Sequence, residues 1–140
     1  SMMAKWKARK NGYDEIILTD EDGYITEAPT SNVFIVNNDN VLLTAPEEEV
    51  LYGITRKSIL EIAEDENIET KVERIPIDVL ENAKEIFLTS SSHIVCPAVK
   101  LDNKPLGDGK PGIITKRLRE RFLKIIKHQD DIFDTWLNVI

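Results

Sequence analysis

The sequence predicts an α+β fold with an antiparallel or mixed β-sheet core and flanking helices. Three observations lead there. Short strand-like runs separated by turn residues fill the first third of the chain. Helical segments are interspersed among further strand-like runs after that. No linker, internal repeat or low-complexity stretch divides the 140 residues, a length that suits one domain. This arrangement is not that of a doubly wound parallel fold.

The elements are read in chain order. Residues 3–11 (MAKWKARKN) suit a short helix that stops at Gly12. Residues 15–19 are strand-like. Asp22-Gly23 is a hairpin turn signal, so residues 24–27 are expected to return as a strand. Residues 32–36 (NVFIV) form another strand, residues 37–40 turn the chain, and residues 41–43 pair back. The first third is thus expected to be an antiparallel meander. Residues 55–66 carry Ile59, Leu60, Ile62 and Ala63 at helical spacing, with Thr55 as N-cap. Residues 68–75 alternate and read as a strand. Pro76 suits the first turn of a short helix through Asn82. Residues 85–89 are a short strand, and residues 94–101 another, interrupted by Pro97. Asn103-Lys104-Pro105 is a turn, and residues 107–112 are a glycine-rich loop. Residues 113–128 are a final amphipathic helix, and an acidic tail ends in Trp136-Leu137.

Composition narrows the function classes. Apolar residues make up 41% and charged residues 31%, as in ordinary globular proteins. Eighteen basic against 25 acidic side chains give a net charge of -7. That argues against broad nucleic-acid binding and against an anionic membrane surface. No apolar run reaches the roughly 18 residues a membrane helix needs. Ser1-Met2 reads as a cloning scar before a start at Met3, with no secretory signal following. The lone Cys96 cannot form an internal disulfide, so a reducing cytoplasm is expected.

Four segments carry more polar chemistry than packing requires. Glu27 stands at a strand end before Thr30 and Ser31. It reads either as a carboxylate facing a cationic ring nitrogen or metal, or as a solvated turn residue. Leu51-Tyr52-Gly53-Ile54-Thr55-Arg56 enters a helix, where free N–H groups and the helix dipole favour an anion. It is not a Walker loop and reads equally as a simple capped helix start. Thr89-Ser90-Ser91-Ser92-His93 follows a strand and is either an oxyanion cradle or a polar loop. His93 and Cys96 are three residues apart, which places them on opposite faces of a strand. A Cys-His hydrolase and a zinc site are both rejected, because further members are missing. Cys96 reads as a small buried hydrophobe. Two anion cradles and a carboxylate suit a phosphorylated pyridine cofactor, which also needs a lysine amine.

These residues resemble a known family. Gly12-Tyr13-Asp14-Glu15-Ile16-Ile17-Leu18, Gly23-Tyr24-Ile25-Thr26-Glu27, Ser31-Asn32-Val33-Phe34 and Gly53-Ile54-Thr55-Arg56 look like the class IV aminotransferases. These fold-type IV pyridoxal-phosphate enzymes include branched-chain and D-amino acid aminotransferases and 4-amino-4-deoxychorismate lyase. The likeness continues through Glu85-Ile86-Phe87-Leu88-Thr89-Ser90, Pro97, residues 107–112 and Thr115-Lys116-Arg117-Leu118. It covers nearly the whole chain in order. The departures are Ala28-Pro29 after the glutamate, where members often have Gly, and Ser90-Ser91-Ser92 where many have Gly-Thr-Ala. The hydroxyl-rich loop is similar to the D-amino acid enzymes, and the Trp136-Leu137 tail to the branched-chain ones.

The resemblance implies the large, C-terminal, cofactor-binding domain over residues 3–140, with pyridoxal 5′-phosphate as cofactor. Glu27 matches the acid that keeps the pyridine nitrogen protonated. Gly53, Ile54 and Thr55 match the helix start that binds the phosphate, and Ser91 a hydroxyl that also contacts it. Leu51 matches an apolar residue on the cofactor ring, and Thr30 and Ser31 a small polar segment near it. Ser92 and His93 fall where backbone groups help bind the substrate carboxylate. The family's Schiff-base lysine precedes the segment matching Met3-Ala4-Lys5. No residue of this chain is therefore assigned as catalytic, and the small N-terminal domain is expected to be missing too. Lys5, Lys7 and Lys10 do not match the catalytic position. The implied reaction is amino transfer between a branched-chain or D-amino acid and a 2-oxo acid, with this chain alone inactive. The alternatives are a lyase making 4-aminobenzoate, and a non-catalytic truncated remnant or self-associating module. A surface left open by truncation favours association, so a homodimer is expected.

Overall fold

Val33-Phe34-Ile35-Val36 is a continuous apolar run, and such a run is buried only if both faces of its strand are covered. Both are covered in the computed structural model, which describes residues 3–8, 14–25, 31–46, 54–90, 95–101 and 104–126. Val33 and Ile35 join one apolar cluster with Leu43, Leu80, Ile86 and Leu88. Phe34 and Val36 join another with Leu42, Ile59, Ile62, Phe87, Leu118 and Phe122. Alternation along the strand lets one run feed both clusters.

The elements are β1 (Met3–Ala8), β2 (Asp14–Leu18), β3 (Ser31–Val36), β4 (Leu42–Thr44), α1 (Ile54–Asp65) and β5 (Thr70–Val72). Then come α2 (Ile77–Glu81), β6 (Glu85–Ser90), β7 (Val95–Leu101), β8 (Lys104–Pro105) and α3 (Ile113–Ile126). The strands make one eight-stranded sheet in the order β2-β1-β7-β6-β3-β4-β5, with β8 pairing β7 off that path. Among the described strands only β4 and β5 pair in parallel, joined by the α1 crossover, so the sheet is mixed. Helices α1 and α3 cover the face bearing Phe34 and Phe87. Arg121 of α3 clasps the end of α1 through Asp65 at 3.0 Å and Glu66 at 2.6 Å. No helix among the described residues is long and apolar enough to cross a membrane.

The central pairing is β3 with β6, in register from Ser31↔Ser90 to Val36↔Glu85. Phe34 and Phe87 lie directly opposite, their rings stacked with centroids 4.9 Å apart and planes within 1°. At one end of this pairing, Glu85 is only 4% exposed. The first N–H groups of α3 lack intrahelical partners. Glu85 accepts hydrogen bonds from the Ile114 N–H at 3.3 Å, the Thr115 N–H at 2.8 Å and the Thr115 hydroxyl at 2.7 Å. A Cβ at Gly112 would overlap the Glu85 side chain, so the residue before α3 must be glycine.

Two turns carry the expected chemistry. Asn37 accepts the N–H groups of Asp39 and Val41 at 2.9 and 3.0 Å, closing the β3–β4 hairpin. Asp20 accepts those of Asp22 and Tyr24 at 2.9 and 3.0 Å, and Arg74 donates to it at 2.8 Å. Gly23 has φ 82°, the left-handed conformation this turn requires.

Several expectations are corrected. Residues 3–8 form β1, not a helix. The alternation of Ala4, Trp6 and Ala8 with Lys5 and Lys7 is of period two, and pairing with β2 and β7 satisfies it. Of the returning strand expected over 24–27, Ile25 pairs back antiparallel to Thr19 as an isolated bridge and Tyr24 bridges Pro76, while Thr26 and Glu27 lie outside the described residues. The first third is no meander, because β2 lies at a sheet edge and β3 near its middle. Ladder pairing limits the alternating run 68–75 to Thr70–Val72. Lys104–Pro105 is a short strand, β8, rather than only a turn. Helix α1 starts at Ile54, which puts Thr55 inside the first turn and not at the N-cap.

Two measurements test these assignments. Glu85→Ala leaves the start of α3 without its acceptor and is expected to cost about 3 kcal/mol in denaturant unfolding. A loss below about 0.5 kcal/mol contradicts that role. The Tyr24 N–H bond, helped by Arg74 and the Asp22 N–H, holds the Asp20 carboxyl below its ordinary 3.8. A lowered folded value stabilises the protein above the unfolded value, and that stability is lost as pH falls through the folded value. Asp20→Asn keeps an oxygen acceptor but not the titration. Its melting temperature should therefore fall less steeply than that of the unaltered protein below about pH 4; superimposable profiles refute the assignment.

Candidate active site

Three segments distant in sequence meet at one end of the sheet. Because β3 and β6 are antiparallel, the start of one lies beside the end of the other: Ser31 pairs with Ser90, and Asn32 with Thr89. β4 is antiparallel to β3, so the chain leaves β4 at this same end. There the Arg56 guanidinium of α1 donates to the Ala45 carbonyl oxygen at 3.1 Å. The bond fixes the first turn of α1 beside the exit from β4.

That turn brings the positive end of a helix dipole. Thr55, 3% exposed, stands one turn before the buried Ile59 and extends the sheet-facing stripe of α1. Thr89 stands two residues after Phe87 and shares its helix-covered face. The two threonines therefore extend the same packed layer toward the same end. Thr89 is 0% exposed, and its Oγ1 has no hydrogen-bond partner among the described residues. The other buried hydroxyls are engaged. Thr44 donates to the Val33 carbonyl at 2.8 Å and Thr115 to Glu85 at 2.7 Å. Thr19, Thr55 and Ser58 have contacts of their own.

A helix start, small polar strand ends and an unanswered buried hydroxyl suit an oxyanion such as a phosphate ester. The residues present thus fit the phosphate of the implied cofactor. Of the expected site residues, Ser31, Ile54 and Thr55 are brought to this end. Glu27, Thr30, Leu51, Gly53, Ser91, Ser92 and His93 lie outside the described residues. Cys96 is 1% exposed in the cluster with Val33 and Ile35, as a small hydrophobe would be. Sequence reasoning placed Thr89 in a candidate oxyanion cradle and Arg56 in the helix-entry segment, and gave neither an individual role. A buried arginine in a helix's first turn has no local sequence mark, and only the strand's period and burial single out Thr89. A concavity at the other end of β3 and β6 is lined by residues that include Asp39, Glu66, Lys84, Glu85 and Arg117. There Glu85 is committed to capping α3, and Arg117 lies 3.7 Å from Glu66.

Residues 1–101 match the family described as amino-transferase class IV. The chain belongs to that family. Over 142 residues it is 35% identical to a probable branched-chain-amino-acid aminotransferase of Aquifex aeolicus, covering 100% of this chain and 45% of that protein. Over 104 residues it is 44% identical to the D-alanine aminotransferase of Staphylococcus aureus, covering 74% and 36%. A solved branched-chain amino acid aminotransferase, complexed with N-(5′-phosphopyridoxyl)-L-glutamate, matches with a TM-score of 0.81 at 35% identity. That match covers 89% of this chain and 42% of the other. The branched-chain amino acid aminotransferase of Escherichia coli matches with a TM-score of 0.75 at 32% identity, covering 86% and 41%. This class IV chain therefore has the α+β fold of its solved relatives, and it spans less than half of their length.

Proposed function

We propose that this chain is the cofactor-binding part of a pyridoxal-phosphate-dependent aminotransferase. It would serve amino transfer between an amino acid, of branched-chain or D-amino acid type, and a 2-oxo acid. The observation that carries this reading is the convergence of the α1 start with the ends of β3 and β6, in a chain of the class IV family. The relatives' names supply the two substrate types.

Pyridoxal phosphate, when bound, supplies an electron sink for the pair released at the substrate's α-carbon. The chain's own residues hold and tune it. Gly53, Ile54 and Thr55 present the helix start to the phosphate, where N–H groups and the dipole favour its charge. Ser91 adds a hydroxyl. Glu27 keeps a proton on the ring nitrogen, because an adjacent carboxylate stabilises the cationic form. Leu51 packs on the ring and excludes water from it. Thr30 and Ser31 form a small polar margin, and backbone groups at Ser92 and His93 orient the substrate carboxylate. The catalytic amine comes from a lysine outside these 140 residues, so this chain alone does not transaminate. It associates as a homodimer and works in the cytoplasm.

Two experiments test the reading. Borohydride reduction with pyridoxal phosphate, followed by peptide mapping, should show no stoichiometric adduct on a single lysine of this chain. Such an adduct on Lys5, Lys7, Lys10 or any other lysine overturns the assignment of the amine. Sedimentation velocity should show a dimer, and a monomer persisting at high concentration removes the homodimer.

A further inference from the structure

We infer that the Thr89 hydroxyl is a positioning group for the phosphate ester of the bound cofactor, an inference that rests on the function proposed above. Thr89 is fully buried, and its Oγ1 has no partner among the described residues. A buried hydroxyl without a partner is destabilising, because it has given up water and gained nothing. Other buried threonines show that this fold satisfies such groups: Thr44 and Thr115 donate at 2.8 and 2.7 Å. Packing alone does not call for threonine at this position. Valine has the same branched shape, suits a strand equally and carries no polar atom.

The position of Thr89 supplies the reason for its hydroxyl. It pairs with Asn32 and Val95, one residue inside the Ser31↔Ser90 end of the central pairing. It faces the helix-covered side, toward the end where the first turn of α1 is anchored by Arg56. The hydroxyl and the helix start thus converge from two elements upon one place. A hydroxyl proton donated there, beside the positive end of the α1 dipole, is complementary to a phosphate oxygen. The interaction satisfies Thr89 only when the anion is present, so binding and the relief of an unmet polar group occur together.

The test uses pyridoxamine 5′-phosphate, which binds without a lysine partner. It compares the full chain with Thr89→Val and Thr89→Ser by calorimetric titration, phosphorus NMR and melting of the unliganded protein. Thr89→Val should weaken binding about tenfold, the loss of one charge-assisted hydrogen bond. It should also move the bound phosphorus resonance, which a purely structural role would not. Its unliganded melting temperature should equal or exceed that of the unaltered chain. Thr89→Ser should restore both affinity and resonance. Unchanged affinity and resonance in Thr89→Val overturn the inference alone. So does a fall in the unliganded melting temperature of Thr89→Val, which would assign the hydroxyl to the fold. Failure of the unaltered chain to bind pyridoxamine 5′-phosphate overturns the proposed function and this inference together.

Discussion

The register between β3 and β6 is the constraint from which the rest follows. A slip of one residue would exchange the faces of every side chain on the slipped strand. A slip of β3 would take Phe34 out of the layer beneath α1 and α3, away from Phe87, and put an aliphatic neighbour such as Val33 in its place. Two-sided burial excludes that exchange, since the aromatic pair fits under the helices and the aliphatic pairs fit the other cluster. The same register decides which residues end the pairing. Ser31 and Ser90 are therefore set side by side by contacts buried several residues away from them.

β6 carries a buried polar group near each end, and the two are in opposite conditions. Glu85 is saturated, with three donors from the start of α3. Thr89 is unanswered by the described residues. The saturated end builds structure, because a charged group taken from water must be fully compensated. The unanswered end adjoins the strand ends and helix start that form the proposed phosphate site. On the proposed reading one strand caps a helix at one end and holds a ligand at the other, at positions four apart in the sequence.

Much of the fold was legible because its signals are local. β3, β4, α1, β6, β7 and α3 follow from apolar periodicity and from turn residues such as Asn37 and Asp20. β1 was not legible in this way. Ala, Met and Lys favour helices, and a lone Trp6 between lysines marks a strand only once β7 lies beside it. The order of strands was likewise hidden, since the pairing of β6 with β3 rather than β5 depends on contacts between distant segments. The proposed phosphate cradle is partly legible at Ile54 and Thr55, because helix starts favour anions for general reasons. Glu85 as a cap for α3 was not, since its three donors belong to residues almost thirty positions further along. Roles for Glu27, Leu51 and Ser91 came from family resemblance, and local chemistry alone left them open.

The crossover between β4 and β5 has a consequence for the order in which the protein acquires its properties. The β3–β4 hairpin closes over a short turn and can form early. β6 must then return across α1, β5 and α2 before it can meet β3. Such non-local closures are slow, because chain entropy is lost before the contacts that repay it are made. Thr55 and Thr89 enter one packed layer only when this closure is complete. The proposed phosphate site is therefore among the last parts of the protein to assemble during folding, and a partly folded chain offers a phosphate nothing better than an isolated helix end.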